Sequence, residues 1–181
     1  DLNDLDLVTI GGDLNIGAIV NGNDQPVDGN LPNLTALQLN NLINVGGNVL
    51  IAFNPKLTDV GFAQLTRVNG KLEIDTEGQL VQIDGSPQLG EVGDLLMHDL
   101  PVLTTLNLPA LGQGDRDLVL NNLPVLANVN LNALTTIGNN GELTFDKAIA
   151  NLDFLASLNT VGNVGARTGH LLIADDQNVA D

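Results

Sequence analysis

A step of 23 residues runs through the middle of this chain and leaves few folds open to it. From Pro32 to Leu134 one apolar pattern returns at that spacing. Leu34 is followed by Leu57, Leu80, Leu103 and Leu126, and Leu37 by Val60, Ile83, Leu106 and Val129. Val49 is followed by Leu72, Leu95 and Leu118, and Ile51 by Ile74, Met97 and Leu120. Proline keeps the same beat at Pro32, Pro55, Pro101 and Pro124, with Gly78 at the remaining one. A fixed period of roughly 20–50 residues with apolar positions in phase marks a solenoid, whose repeats bury their apolar faces only by stacking on one another.

Within each repeat the alternation has period two, at Val49-x-Ile51, Leu72-x-Ile74, Leu95-x-Met97, Leu118-x-Leu120, Leu143-x-Phe145 and Leu171-x-Ile173. This predicts a short strand with one face buried. A second group, such as Leu34-Leu37-Leu39 and Leu103-Leu106-Leu108, predicts another wall. No segment of helical length carries a 3.6-residue period. The expected fold is therefore all-β, a right-handed parallel β-solenoid of about seven coils, with rungs about 4.8 Å apart. It forms a single domain over residues 1–181.

Val8 to Ile16 repeats the pattern of Asn44 to Ile51 at an offset of 35 rather than 23, which implies an insertion at about 17–30. That segment, GAIVNGNDQPVDGN, reads as a surface loop. Strict repeats run over about 31–134, with one slip between Ser86 and Val92, and longer coils follow over about 135–181. There, matching Leu120 to Phe145 gives a step of 25, and Phe145 to Ile173 one of 28. The corner glycines, Gly11-Gly12, Gly46-Gly47, Gly70, Gly93 and Gly138, are expected to supply a backbone angle that a Cβ would forbid.

Composition removes several functions. A formal charge of −16 with only six basic residues excludes a nucleic-acid partner, which needs clustered Lys and Arg. No Trp or Tyr and only four Phe leave no stacking platform for bases or sugars. The absence of cysteine removes disulfides, thiolate metal sites and cysteine nucleophiles. No apolar run reaches the roughly 18 residues of a membrane span. The chain opens in a repeat at Asp1 with no secretory leader, as a processed or excised piece would.

Coils of the form L-x-x-L-x-x-V-G-G-x-L-x-I-x-x-N resemble the receptor L-domain, and more broadly the leucine-rich repeats. VTIGGDLNI, NVGGNVLIAFN and TRVNGKLEI carry the likeness. It implies a ligand-binding solenoid of the kind found in insulin- and growth-factor-receptor ectodomains, or in bacterial and archaeal surface proteins. The acidic, cysteine-free composition fits the second setting better, so an extracellular or cell-surface location is expected.

No catalytic set emerges. His98 and His170 sit at strand ends several layers apart, and both read as surface residues. Serines lack the G-x-S-x-G frame, and the glycines follow the solenoid's rhythm rather than a phosphate loop. No cofactor is implied, and the one metal the residues suit is calcium, which takes oxygen-rich loops such as those at Asp24 and Asp28, at Asp115 and Asp117, and at Asp175 and Asp176. The outward column of the short strand reads Asn15, Leu50, Glu73, Leu96, Val119, Thr144 and Leu172, so Leu50, Leu96, Val119 and Leu172 form an apolar contact stripe unless the 17–30 loop covers it. The matching column of the other wall, Gln38, Gly61, Asp84, Asn107 and Asn130, is polar or small. Strands lie so near both termini that no capping helix fits, and uncapped ends invite end-to-end stacking of identical subunits or of neighbouring modules. The expected function is non-catalytic protein contact, in adhesion or in assembly of a surface layer or filament. A monomeric ligand-binding module is the alternative. A glycan-acting enzyme using Glu73 and Asp75 is a more distant one.

Overall fold

The computed structural model describes residues 6–20, 26–28, 31–84, 87–145, 149–162 and 168–175, with backbone alone at 18–20, 26–28, 145 and 175. Among them the chain winds through three walls of parallel strands. The first wall stacks Thr9–Ile10, Asn44–Val45, the start of Arg67–Asp75, the start of Glu91–His98, Gln113–Gly114, Thr136–Ile137 and Thr160–Val161. The second stacks Leu14–Ile16, Val49–Ala52, the ends of the same two long strands, Leu118–Asn121, Gly141–Phe145 and Leu171–Asp175. The long strands cross the corner and join both walls into a 12-stranded sheet. The third wall is a 5-stranded sheet of Ala36–Gln38, Asp59–Gly61, Gln82–Asp84, Thr105–Asn107 and Asn128–Asn130.

The 23-residue step is the hydrogen-bond register. Leu37 pairs with Val60, Val60 with Ile83, Ile83 with Leu106 and Leu106 with Val129. Val49, Leu72, Leu95 and Leu118 stack likewise, with Ile51, Ile74, Met97 and Leu120 beside them. These side chains meet in one continuous core, which is why repeats that are marginal singly become stable when stacked.

The coil count is about five rather than seven. Among the described residues only five turns own a strand in the third wall. In the first turn that place is lost to the insertion. It is not simply a loop, since Ala18–Val20 pairs antiparallel with Pro26–Asp28 as a hairpin. After Asn130 a 3-10 turn, Asp153–Leu155, stands where a sixth strand would fall.

Two further expectations are corrected. Leu120 pairs with Leu143, not Phe145, so the step there is still 23 and the added length comes later, before Ile173. Moving a strand by two residues keeps the same face inward, so alternation alone does not distinguish the two registers. Gly141 takes the place of Leu118 in that rung because Leu171 fills the space, its Cδ1 lying 2.7 Å from where a Cβ would stand.

Gly46, Gly47, Gly70, Gly93 and Gly138 are required by proximity instead of backbone angle, whereas a Cβ on Gly11 or Gly12 would meet nothing within 4 Å. Among described glycines only Gly17 and Gly162 have positive φ. A Cβ on Gly46 would sit 2.5 Å from the Gly11 carbonyl oxygen, and one on Gly93 2.6 Å from that of Gly70. The left-handed positions belong to Phe53, Thr76, Asp99 and Asn122, one per coil where the second wall ends. The slip before Val92 is absorbed at once by a bulge, since Val92 pairs with Val68 but Asp94 with Lys71.

Part of the acidic and amide content is structural. At the corner before the second wall a side-chain oxygen accepts the backbone N–H of the equivalent residue one coil on. Asp13 accepts from Asn48 (2.6 Å), Asn48 from Lys71 (2.9 Å), Asp94 from Asp117 (2.9 Å), Asp117 from Asn140 (3.0 Å) and Asn140 from His170 (3.2 Å). The step from Lys71 to Asp94 is missing, because an ammonium cannot accept. Replacing Asp117 with alanine is expected to lower stability by about 1–2 kcal/mol. Asp117→Asn keeps the accepting oxygen and should recover most of that. Urea unfolding midpoints of the two variants check it.

Candidate functional site

The outward face of the second wall carries the charged cluster that most departs from its surroundings. Strand pairing sets Glu73 between Leu50 and Leu96 in one column and Asp75 between Ala52 and His98 in the next. Residues two apart on a strand point the same way, and directly opposed or diagonal neighbours on adjacent rungs are within reach. One imidazole therefore meets both carboxylates. His98 Nδ1 lies 3.0 Å from Asp75 Oδ1, and Nε2 lies 3.3 Å from Glu73 Oε1. Lys71 Nζ lies 2.5 Å from the other Glu73 oxygen, Oε2, and Asp99 approaches His98 Nδ1 at 3.9 Å.

Glu73 and Asp75 are each only 7% exposed although they face outward. Carboxylates so nearly enclosed need positive partners. The hydrogen bond that His98 donates to Asp75, reinforced by that to Glu73, drives its pKa up to about 10 against the cost of burial. The hydrogen bond from His98, helped by Lys71, holds Glu73 below the ordinary carboxylate range in spite of burial. Both carboxylates thus favour the protonated imidazole. The three side chains place one nitrogen and two oxygen donors within 4.8 Å of one another.

Behind this cluster lies a second polar pair. Asn54 and Glu77 are fully buried and occupy one inward position on adjacent coils, which Leu100 and Leu123 fill further along. Asn54 Nδ2 donates to Glu77 Oε1 (2.6 Å), the Ala52 carbonyl (3.1 Å) and the Ile16 carbonyl (3.2 Å). The Asn54 backbone N–H donates to both Glu77 oxygens (3.2 and 3.1 Å). Burial pushes Glu77 up to about 7, opposed by the Asn54 hydrogen bonds and aided by the negative charge of Asp75.

The expected contact stripe is only partly on the surface. Leu50 is 2% exposed and packs with Ala52 and Phe53, and the first strand of the insertion hairpin lies against its strand. Leu96 and Val119 are half-buried, and Leu172 is exposed. Glu142, not Thr144, stands in this column, between Val119 and Leu172. Of the calcium candidates, Asp24 and Asp176 lie outside the described residues, as do the side chains of Asp28 and Asp175. Asp117 Oδ1 is engaged by the Asn140 N–H and also accepts from the Asn139 amide (2.7 Å). Asp115 is half-buried.

His98 and His170 do not occupy equivalent positions, since His98 ends its strand and His170 precedes Leu171–Asp175. The signal for the cluster was present in the repeat itself, because Asp75 and His98 stand one period apart.

On the third wall the polar column forms a ladder, with Asn130 donating to Asn107 (2.8 Å) and Asn107 to Asp84 (2.9 Å). Comparison with protein-family models, with curated proteins and with solved structures finds no match. Fold and site together define a parallel β-solenoid repeat protein with a histidine–carboxylate cluster on its broad sheet.

Proposed function

We propose that this chain is a non-catalytic, extracellular or cell-surface module that works by protein contact, stacking end to end with identical subunits through its last coil. The observation that carries this reading is the exposure of Leu171, Leu172 and Ile173, at 42%, 51% and 42%. Leu118, Leu120 and Leu143 hold equivalent inward places one or two rungs earlier and are buried. Among the described residues Leu171–Asp175 pairs along one edge only, and an apolar strand with a free edge is a template for another strand. The resemblance to receptor L-domain modules and microbial surface repeats supports the surface setting.

A net charge of −16 opposes contact between copies, so association is expected to strengthen with ionic strength as repulsion is screened. Light scattering over concentration at low and high salt tests this. The expected result is salt-promoted growth into rods that Leu172→Asp abolishes. A monomer at every concentration and salt level would refute the proposal.

A monomeric ligand-binding module is the second reading. A shallow hollow of about 510 Å³ favours it, lined on the third wall by Gln82, Asp84, Thr105, Asn107, Asn128 and Asn130. A glycan-acting role for Glu73 and Asp75 has less support, because both carboxylates lie on one strand and share His98.

A further inference from the structure

We infer that Glu73, Asp75 and His98 form a binding site for a divalent transition-metal cation of the zinc type. The donors come from two adjacent rungs whose register is set by the sheet, so their spacing is fixed by backbone hydrogen bonding rather than by a loop. The two contacts are made by different ring nitrogens, Nδ1 at 3.0 Å from Asp75 and Nε2 at 3.3 Å from Glu73, and one donor atom from each residue lies within 4.8 Å of the others, a span that a metal held at about 2.0–2.2 Å closes with small side-chain movements. Both nitrogens now face carboxylates, so a turn of the ring presents one of them to an ion held between Glu73 Oε1 and Asp75 Oδ1.

The charge balance favours the same exchange. Two nearly buried carboxylates are faced by the Lys71 ammonium and by His98, which adds a second positive charge when it is protonated. One divalent ion supplies the same charge. On binding, the imidazole releases its proton to solvent and Lys71, whose side chain is partly exposed, swings away from Glu73. One imidazole with two carboxylates suits zinc or cobalt better than calcium, which prefers oxygen alone. Three protein ligands leave a coordination position open on the outward face, where water completes the shell. Leu50 and Leu96 flank Glu73 and limit competing polar contacts there. This site is independent of the end-to-end stacking proposed above.

The test is calorimetric titration of chelator-treated full chain with zinc chloride, with circular dichroism to verify folding of each variant. One zinc per chain is expected. His98→Gln and Asp75→Asn should each weaken binding by more than the roughly 10–100-fold typical of losing an outer-shell contact. Lys71→Met should tighten it by about tenfold, since it removes a competing charge at close range. Zinc binding that is absent from the wild type, or that persists unchanged in both His98→Gln and Asp75→Asn, overturns the assignment. If the first two variants fail to fold, Lys71→Met decides it, and unchanged or weaker binding there overturns the site.

Discussion

Replacing Asn54 with leucine is expected to cost the fold about 3 kcal/mol, and replacing Glu77 with leucine as well is expected to restore most of the loss. Among the described residues Asn54 supplies every hydrogen bond that the Glu77 carboxyl receives, from its amide and from its backbone. Removing the amide leaves a fully buried carboxyl short of donors, and breaking a buried polar pair from one side costs about 3–5 kcal/mol for a charged group and less for one that can take a proton. The double substitution removes the stranded group too. It also reproduces what the chain itself does one and two coils on, where Leu100 and Leu123 are fully buried at this position. The Ile16 and Ala52 carbonyls still lose a donor, so recovery stops short of complete. Unfolding in urea for the wild type, both single variants and the pair closes the cycle. Additive losses, with the double variant least stable, would mean that the pair is not coupled.

Stability is expected to fall by several kcal/mol as pH rises from 5 to 9 in metal-free buffer, since each unit by which folding raises a pKa is worth about 1.4 kcal/mol. Glu77 binds its proton at about 7 in the folded chain against 4.5 ordinarily. Folding therefore takes up a proton between those values, and the contribution is lost as pH climbs from about 4.5 through about 7. His98 goes from 6.5 to about 10 and acts in the same sense over a higher window. Its stabilisation by Asp75 and Glu73, with Asp99 at 3.9 Å, is complete below about 6.5 and is lost as pH passes about 10. Glu73 runs oppositely. Its carboxyl is held below 4.5, so its contribution is present above that value and disappears on further acidification. The optimum should thus lie near pH 5. Glu77→Leu should flatten the profile between pH 5 and 7, and His98→Gln the profile above pH 7. A wild-type curve that is level or rising from pH 5 to 9 would contradict the assignment of both groups.

The outward face shows how far sequence reasoning reached. Asp75 and His98 are one period apart, so their contact follows from the 23-residue register. Treated as separate surface residues, His98 and the carboxylates were not brought together. Diagonal contact between Glu73 and His98 adds a condition that sequence spacing does not express, namely that the two columns lie side by side on one face. The stacking of Asp13, Asn48, Asp94, Asp117 and Asn140 was equally periodic, yet acidic residues in turns read first as solvated groups or calcium ligands.

The sequence by itself determined the parallel register of the strict repeats, the inward residues of the second and third walls there and the polar outward column of the third, because apolar burial and hydrogen-bond period coincide at those rungs; the first wall was read only as a glycine corner. Only the tertiary structure decided which of two registers Gly141–Phe145 adopts, since both keep the same face inward and only the packing of Leu171 over Gly141 separates them. It alone decided that Leu50 is buried, through a hairpin from the insertion whose resting place no periodicity encodes. The corner glycines belong to the same class. At Gly46, Gly93 and Gly138 the need is set by a carbonyl oxygen in the coil below, a distance that exists only once the coils are stacked.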